Sequence, residues 1–312
     1  MYIGIDLGGT NIAVGIVNDD AKIIATASTP TKAERNYKEI VKDMAFVTEK
    51  LLSDNNISVD EIKGIGIGCP GTIDTKNGIV AYSNNIKMEN VPMVEELKKY
   101  FDKPVSIMND ADAAAYGEYV INGRGCESFV FITLGTGIGG GVVLNGKIYN
   151  GFNCAGGELG HSMLVFDGEQ CTCGNKGCWE AYASVTALIR QTKRAMEEHP
   201  ESIMNEIAKK DGKVSGKTAF AAAKAGDSAG EQVVKKYCEY IASGLVGIIN
   251  IFQPEKLVIG GGISREGDYI LKPVTEYWNK RDFNKYMPKT EISIATLFND
   301  AGIIGAALSC VR

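Results

Sequence analysis

Three cysteines fall within eight residues, in Cys171-Thr172-Cys173-Gly174-Asn175-Lys176-Gly177-Cys178, and His161 stands ten residues before the first of them. The spacing H-x9-C-x-C-x4-C offers three thiols and an imidazole, a set suited to tetrahedral Zn²⁺. Four protein ligands leave no open coordination position, so a zinc held by His161, Cys171, Cys173 and Cys178 would be structural. Gly174 and Gly177 let the loop fold round an ion. The plainer reading is a reduced thiol cluster without metal. Against it, one of only two histidines in the chain sits beside the cysteines. The other, His199 in Glu198-His199-Pro200, reads as a solvated helix end.

Glycine-rich turns are the second source of chemistry. Where small residues join two buried strands, backbone N–H groups can approach an anion that a bulky side chain would block. Asp6-Leu7-Gly8-Gly9-Thr10 adds a carboxylate and a hydroxyl. Asp6 could hold Mg²⁺ through water, and Thr10 could donate to a phosphate. Thr133-Leu134-Gly135-Thr136-Gly137 is a second such turn, with hydroxyls at Thr133 and Thr136, and Gly260-Gly261-Gly262 is a third. Each alone could be a plain hairpin turn; three together, the first with Asp and Thr, favour phosphate. No G-x-G-x-x-G opens a helix with an acidic residue about 20 positions on, and no Walker A pattern is present.

Carboxylates and amides complete the inventory. Asn109-Asp110 falls between a buried strand and a helix, where α/β proteins place ligands. Asp110 could equally be a helix N-cap, and the sequence leaves both readings open. Glu158 and Glu180 flank the cysteine loop, as a platform for hydroxyls or as surface charge. Ser83-Asn84-Asn85 lies in a polar loop.

These residues need elements to position them. Residues 2–7 and 12–17 read as strands of a hairpin, with a third strand at 22–28. Residues 36–52 carry helical apolar spacing after a plausible N-cap at Asn36. Strands are expected at 64–68 and 105–108, the latter followed by an Ala-rich helix at 111–120. The opening pattern then returns: strands at 129–134 and 140–144 flank Gly135-Thr136-Gly137. Ile-Asp-Leu-Gly-Gly-Thr early and Ile-Thr-Leu-Gly-Thr-Gly late make a weak internal repeat, which suggests two similar α/β domains facing across a cleft. Residues 150–180 read as loop. Helices follow at 184–198 and 228–252, strands at 256–259 and 291–295, and a last helix at 301–310.

Composition bounds the rest. At about 100–200 residues per domain, 312 residues suggest two domains. The apolar share of 45% and charged share of 23% exclude a disordered chain, a collagen and a coiled-coil rod. Glycine, at 37 residues, stands well above the usual share of about 7%. A net charge of −5 gives no footprint for nucleic acid or an anionic membrane. No segment is apolar long enough to span a bilayer, and the start reaches Asp6 without a basic region, so a cytoplasmic protein is expected. The scattered cysteines 69, 126, 154, 238 and 310 then read as small buried hydrophobes.

Taken together, the motifs resemble the ROK family of repressors, open reading frames and sugar kinases, nearly end to end. The most specific pieces are Asp6-Leu-Gly-Gly-Thr10, Glu158-Leu-Gly-His161 and Cys171-Thr-Cys-Gly-Asn-Lys-Gly-Cys178-Trp-Glu180. The resemblance implies an α/β fold of two actin-like (ribonuclease H-like) ATPase domains, with ATP and sugar meeting in a central cleft. It implies an N-terminal domain of residues 1–112 plus 298–312 and a C-terminal domain of 113–297 with the zinc loop. It implies that Asp110 is the general base, that Asp6 orients Mg²⁺, and that Gly8, Gly9, Thr10, Thr133, Gly135, Thr136 and Gly137 hold phosphates. Gly260, Gly261 and Gly262 would lie near adenosine. Sugar hydroxyls would meet Asn85, Asn109, Asp110, Glu158, His161 and Glu180, with Gly71 shaping the pocket. Homodimers, sometimes tetramers, are also implied, and the apolar faces of the 233–252 helix suit either such a contact or burial.

The run Glu180-Ala-Tyr-Ala-Ser184 looks most like the glucokinase branch, so ATP-dependent conversion of glucose to glucose 6-phosphate is the expected activity. Residues 85–92 lack the Trp that many members carry there. The choice among glucose, mannose, allose, fructose and N-acetylated hexosamines therefore rests with that loop. Polyphosphate is the alternative donor. A repressor would carry a winged helix ahead of the first strand, and Ile3 already lies in that strand. A non-catalytic sugar sensor is the other alternative; retention of Asp6, Thr10, Asp110, Glu158 and Glu180 argues against it.

Overall fold

The computed structural model describes residues 1–310. In chain order its elements begin β1 (Tyr2–Leu7), β2 (Asn11–Val17), β3 (Ile23–Pro30), α1 (Tyr37–Asp54), β4 (Ile65–Cys69) and β5 (Thr72–Asp74). Next come β6 (Ile79–Ser83), β7 (Met88–Val91), α2 (Met93–Lys98), β8 (Val105–Asn109), α3 (Asp110–Asn122), β9 (Ser128–Leu134), β10 (Ile138–Leu144) and β11 (Lys147–Ile148). Then follow α4 (Glu180–Ala183), α5 (Val185–Glu198), α6 (Met204–Lys210), α7 (Thr218–Lys224) and α8 (Ser228–Phe252). The last are β12 (Lys256–Gly260), α9 (Asp268–Asn279), β13 (Glu291–Ile294) and α10 (Asp300–Ser309). Among the described residues no helix is long and apolar enough to cross a membrane.

The repeat seen in the sequence is structural. One five-stranded sheet runs β3-β2-β1-β4-β8 and the other β11-β10-β9-β12-β13. In the first, β1 to β3 form an antiparallel meander, and β4 and β8 extend it in parallel. In the second, β10 and β11 are antiparallel and β12 and β13 parallel.

The pleat of β1 sorts its side chains. Ile3, Ile5 and Leu7 join the core under α1, which buries Ile40, Val41, Met44 and Leu51. The alternate positions face α10: Tyr2 packs with Ile303 and Ala307, and a Cβ on Gly4 would collide with the Ile303 carbonyl. Gly66 of β4 lies equally close to the Ala306 carbonyl, so α10 rests its backbone on the sheet.

Two compact units emerge. One comprises Met1–Phe131, Gly141–Gly157 and the described chain from Leu297 onward; the other comprises Ile132–Gly140 and Glu158–Thr296. The expected change-over at residue 113 falls inside α3. That helix stays with the first unit because it packs against α10: a Cβ on Gly117 would meet the Ala301 carbonyl, and one on Gly305 the Ala113 carbonyl.

Several elements carry no periodic signal in the sequence. The three-stranded β5-β6-β7 sheet consists of strands of three to five residues. The helices α6 and α7 have seven residues each, and α9 carries Pro273 in its interior, which argues against a helix on local grounds.

Candidate active site

In the first unit, parallel pairing brings the C-terminal ends of β1, β4 and β8 to one sheet edge. Asp6 lies opposite Gly68, and Cys69 opposite Asn109. Asp6 occupies a position of β1 that faces α10, where a Cβ on Gly302 would lie 3.3 Å from its carboxyl carbon. Burial there pushes the Asp6 carboxyl up to about 6, and the nearby Asp110 carboxylate pushes the same way.

The following turn is tied from behind. Thr31 donates its hydroxyl to the Gly8 carbonyl (2.6 Å) and its N–H to the Thr10 carbonyl (2.8 Å). Gly9 and Thr10 are exposed. A Cβ on Gly9 would lie 3.4 Å from the Asn85 carbonyl oxygen, so the β6–β7 loop with exposed Asn85 abuts the turn.

The structure separates the two readings of Asn109-Asp110. Asn109 is the N-cap of α3: its Oδ1 accepts from the Ala111 N–H at 2.8 Å and the Asp112 N–H at 3.4 Å. Its Nδ2 donates to the Gly71 carbonyl at 3.0 Å. Gly71 has φ +114°, and a Cβ there would collide with the Tyr82 carbonyl, so only glycine fits. Asp110 is the first helical residue; its Oδ1 accepts from the Ala111 N–H at 2.9 Å. Burial raises its carboxyl above the ordinary range.

In the second unit the cysteine loop is seated by Trp179. This ring is fully buried against Gly244 of α8, where a Cβ would strike it, and its Nε1 donates to the Tyr240 carbonyl at 2.8 Å. His161, Cys171, Cys173 and Cys178 converge, with all ligand atoms within 4.8 Å of one another. Cys171 Sγ lies 3.7 Å from His161 Nδ1, and Cys173 Sγ lies 3.6 Å from Cys178 Sγ. The edge of a tetrahedron with zinc–sulfur bonds of about 2.3 Å is near 3.8 Å, so the four residues fit the metal the spacing implied. Burial and the neighbouring thiols push the Cys178 thiol up to about 12, so a thiolate there calls for an adjacent cation.

Glu180 opens α4 and joins this loop to the β9–β10 turn. Its Oε2 accepts from the Ile138 N–H at 2.9 Å, and its Oε1 accepts from the Thr172 hydroxyl at 3.0 Å. A Cβ on Gly137 would strike Oε2. The turn is further held by the Val185 N–H on the Gly135 carbonyl (2.9 Å) and the Thr186 hydroxyl on the Thr136 carbonyl (2.7 Å). Thr133 lies half-buried in β9, and Thr136 is exposed at the turn.

Gly261, with φ +86°, packs its backbone on Leu134, which places the third glycine turn beside the second; Gly260 is buried and Gly262 open. Gly160 packs on the Ile138 backbone and sets the short turn Leu159–His161 against β10. Glu158, at the head of that turn, is exposed and caps nothing with its side chain. His199 ends α5 with its Nδ1 3.2 Å from Glu201, the solvated end expected of it. Thr31, Gly302 and Thr186 are contacts that no motif marked; isolated hydroxyls and a helical glycine give no local signal.

Two α/β units with the same strand order and glycine turns after the first strands define the class of actin-like ATPase folds. A profile of the ROK family matches residues 2–311, and the chain belongs to that family. It is 38% identical to a glucokinase of Thermotoga maritima, over 98% of this chain and 95% of that one. It is 36% identical to a glucokinase of Halalkalibacterium halodurans, over 97% and 93%. Among solved structures it is similar to a ROK family glucokinase from Streptomyces griseus in complex with glucose and AMPPNP. The TM-score there is 0.81, with 32% identity over 98% of this chain and 97% of that one.

Proposed function

We propose that this chain is a glucokinase, an enzyme that transfers the γ-phosphoryl group of ATP to glucose to form glucose 6-phosphate. The observation that carries this reading is the division of labour at the start of α3. Asn109 takes the capping duty, and Asp110 is left as a half-buried carboxylate at a strand end. Its raised pKa makes it a stronger base than an ordinary carboxylate. Asp110 accepts the proton of the sugar hydroxyl as that oxygen attacks the γ-phosphorus. The bond from that phosphorus to the bridging oxygen breaks, and ADP leaves with the electron pair.

Asp6 would hold Mg²⁺, and the bound ion would neutralise charge on the phosphoryl oxygens. The turns at Gly8–Thr10 and Thr133–Gly137 receive phosphates through their N–H and hydroxyl groups, and Gly260–Gly262 flanks the adenosine. Asn85 and Asn109 meet sugar hydroxyls, and Gly71 keeps their pocket open. Glu158, His161 and Glu180 supply further hydroxyl partners. His161, Cys171, Cys173 and Cys178 would hold zinc, which would make that platform rigid.

The chain acts in the cytoplasm as a homodimer. Ile251 on α8, 75% exposed, gives an apolar side chain for such a contact. Light scattering that finds only the mass of a single 33.5 kDa chain overturns the dimer.

The deciding experiment is ADP release with Mg-ATP and a panel of glucose, mannose, allose, fructose, N-acetylglucosamine and N-acetylmannosamine. Fast turnover on glucose, lost in Asp110→Asn, is the expected result. Turnover on another hexose alone would reassign the substrate, and turnover on none would sink the kinase reading.

A further inference from the structure

The contacts of the β9–β10 turn decide which way its peptide groups point. The Gly135 carbonyl accepts from the Val185 N–H at 2.9 Å, and the Thr136 carbonyl from the Thr186 hydroxyl at 2.7 Å. Both peptides are trans. In a planar trans peptide the N–H points opposite to the C=O. The N–H of Thr136 and the N–H of Gly137 are therefore both turned away from the 185–186 segment. Among the described residues neither has a hydrogen-bond partner. One peptide further on, the Ile138 N–H is claimed by Glu180 Oε2 at 2.9 Å, so it takes no part in that open pair.

We propose that residues 180–186 are a brace for this turn, with Thr186 its positioning residue. By capturing the two carbonyls, the brace aims the N–H groups of Thr136 and Gly137 jointly at the phosphate of a bound nucleotide. Two convergent N–H dipoles form an anion-binding concavity, and losing the hold on one carbonyl frees its peptide to rotate. The brace begins at the cysteine loop: Glu180, which holds Ile138, also accepts from Thr172 (3.0 Å) and lies 3.6 Å from Cys171 Sγ. The metal loop thus reaches the nucleotide turn as well as the sugar platform. The inference rests on the kinase reading for what the turn binds.

The test is calorimetric titration of AMPPNP into the full chain, alongside steady-state kinetics. Thr186 is exposed, so its replacement leaves the core alone. Removing a single neutral hydrogen bond in Thr186→Val should weaken AMPPNP binding about three- to tenfold. The KM for ATP should rise in step and the KM for glucose stay unchanged. Thr186→Ala should match the valine variant, and Thr186→Ser should restore wild-type affinity. AMPPNP affinities within twofold of wild type in both Thr186→Val and Thr186→Ala would overturn the brace, as would a parallel rise in the KM for glucose. Wild-type protein that binds AMPPNP but phosphorylates no hexose would end the kinase reading and leave the brace to calorimetry. Wild-type protein that binds no AMPPNP would overturn both.

Discussion

Asp110 and Asp6 are two carboxylates whose environments oppose ionisation, and the consequences have opposite value for chemistry and for stability. As the proposed general base Asp110 must be ionised to accept a proton, and burial raises its pKa. The rate should therefore fall on acidification along a limb that lies above the ordinary carboxylate range, read from kcat against pH. Asp110→Asn keeps size and hydrogen bonding but removes the proposed base, and should lower kcat by about 10²- to 10⁴-fold with no loss of thermal stability. For Asp6 the folded pKa of about 6 lies above the ordinary 3.8, so between those values the folded chain binds more protons than the unfolded one. Its contribution to stability falls as pH rises through that window and is level above it. Asp6→Asn, which carries no such cost, should stabilise the chain at pH 7 by up to about 3 kcal/mol while abolishing activity. Thermal melts of both forms from pH 4 to pH 7 without added Mg²⁺ would show this; an unchanged melting temperature at pH 7 would contradict it.

At the scale of elements, α10 positions both acids. It lays Gly302 against Asp6, and through Gly305 and Gly117 it meets α3, the helix that begins with Asp110. A methyl group at Gly305 has no room beside the Ala113 carbonyl. Gly305→Ala should cost about 1–3 kcal/mol, with a loss of kcat larger than any change in the KM for glucose, read from melts and kinetics on one preparation. The cysteine loop is the corresponding device in the second unit, where Trp179 anchors it to α8. Elemental analysis should find about one zinc per chain, and Cys178→Ser should lose it together with several degrees of melting temperature. Full metal content in that variant would remove Cys178 from the site.

For the molecule as a whole, the check on substrate class is stability linked to binding. Glucose at a hundredfold over its Kd should stabilise the chain by about 2.7 kcal/mol, seen as a rise in melting temperature, and a sugar that does not bind should give no shift. Much of this protein is determined by sequence alone. The cysteine spacing, the glycine turns and the repeated strand-turn-strand pattern are local, so the Cys₃His cluster, the turn positions and the paired α/β architecture can be read without coordinates. The asparagine cap, by contrast, needed the Gly71 carbonyl, which comes from another part of the chain, to settle Asn109 and release Asp110. The β5-β6-β7 sheet, the proline-bearing α9 and the retention of α3 by α10 also depend on partners distant in sequence. Thr186 and Glu180 gained their place the same way. A hydrogen bond between residues some 40 to 50 positions apart leaves no periodic trace in the chain; only tertiary packing brings its two ends together.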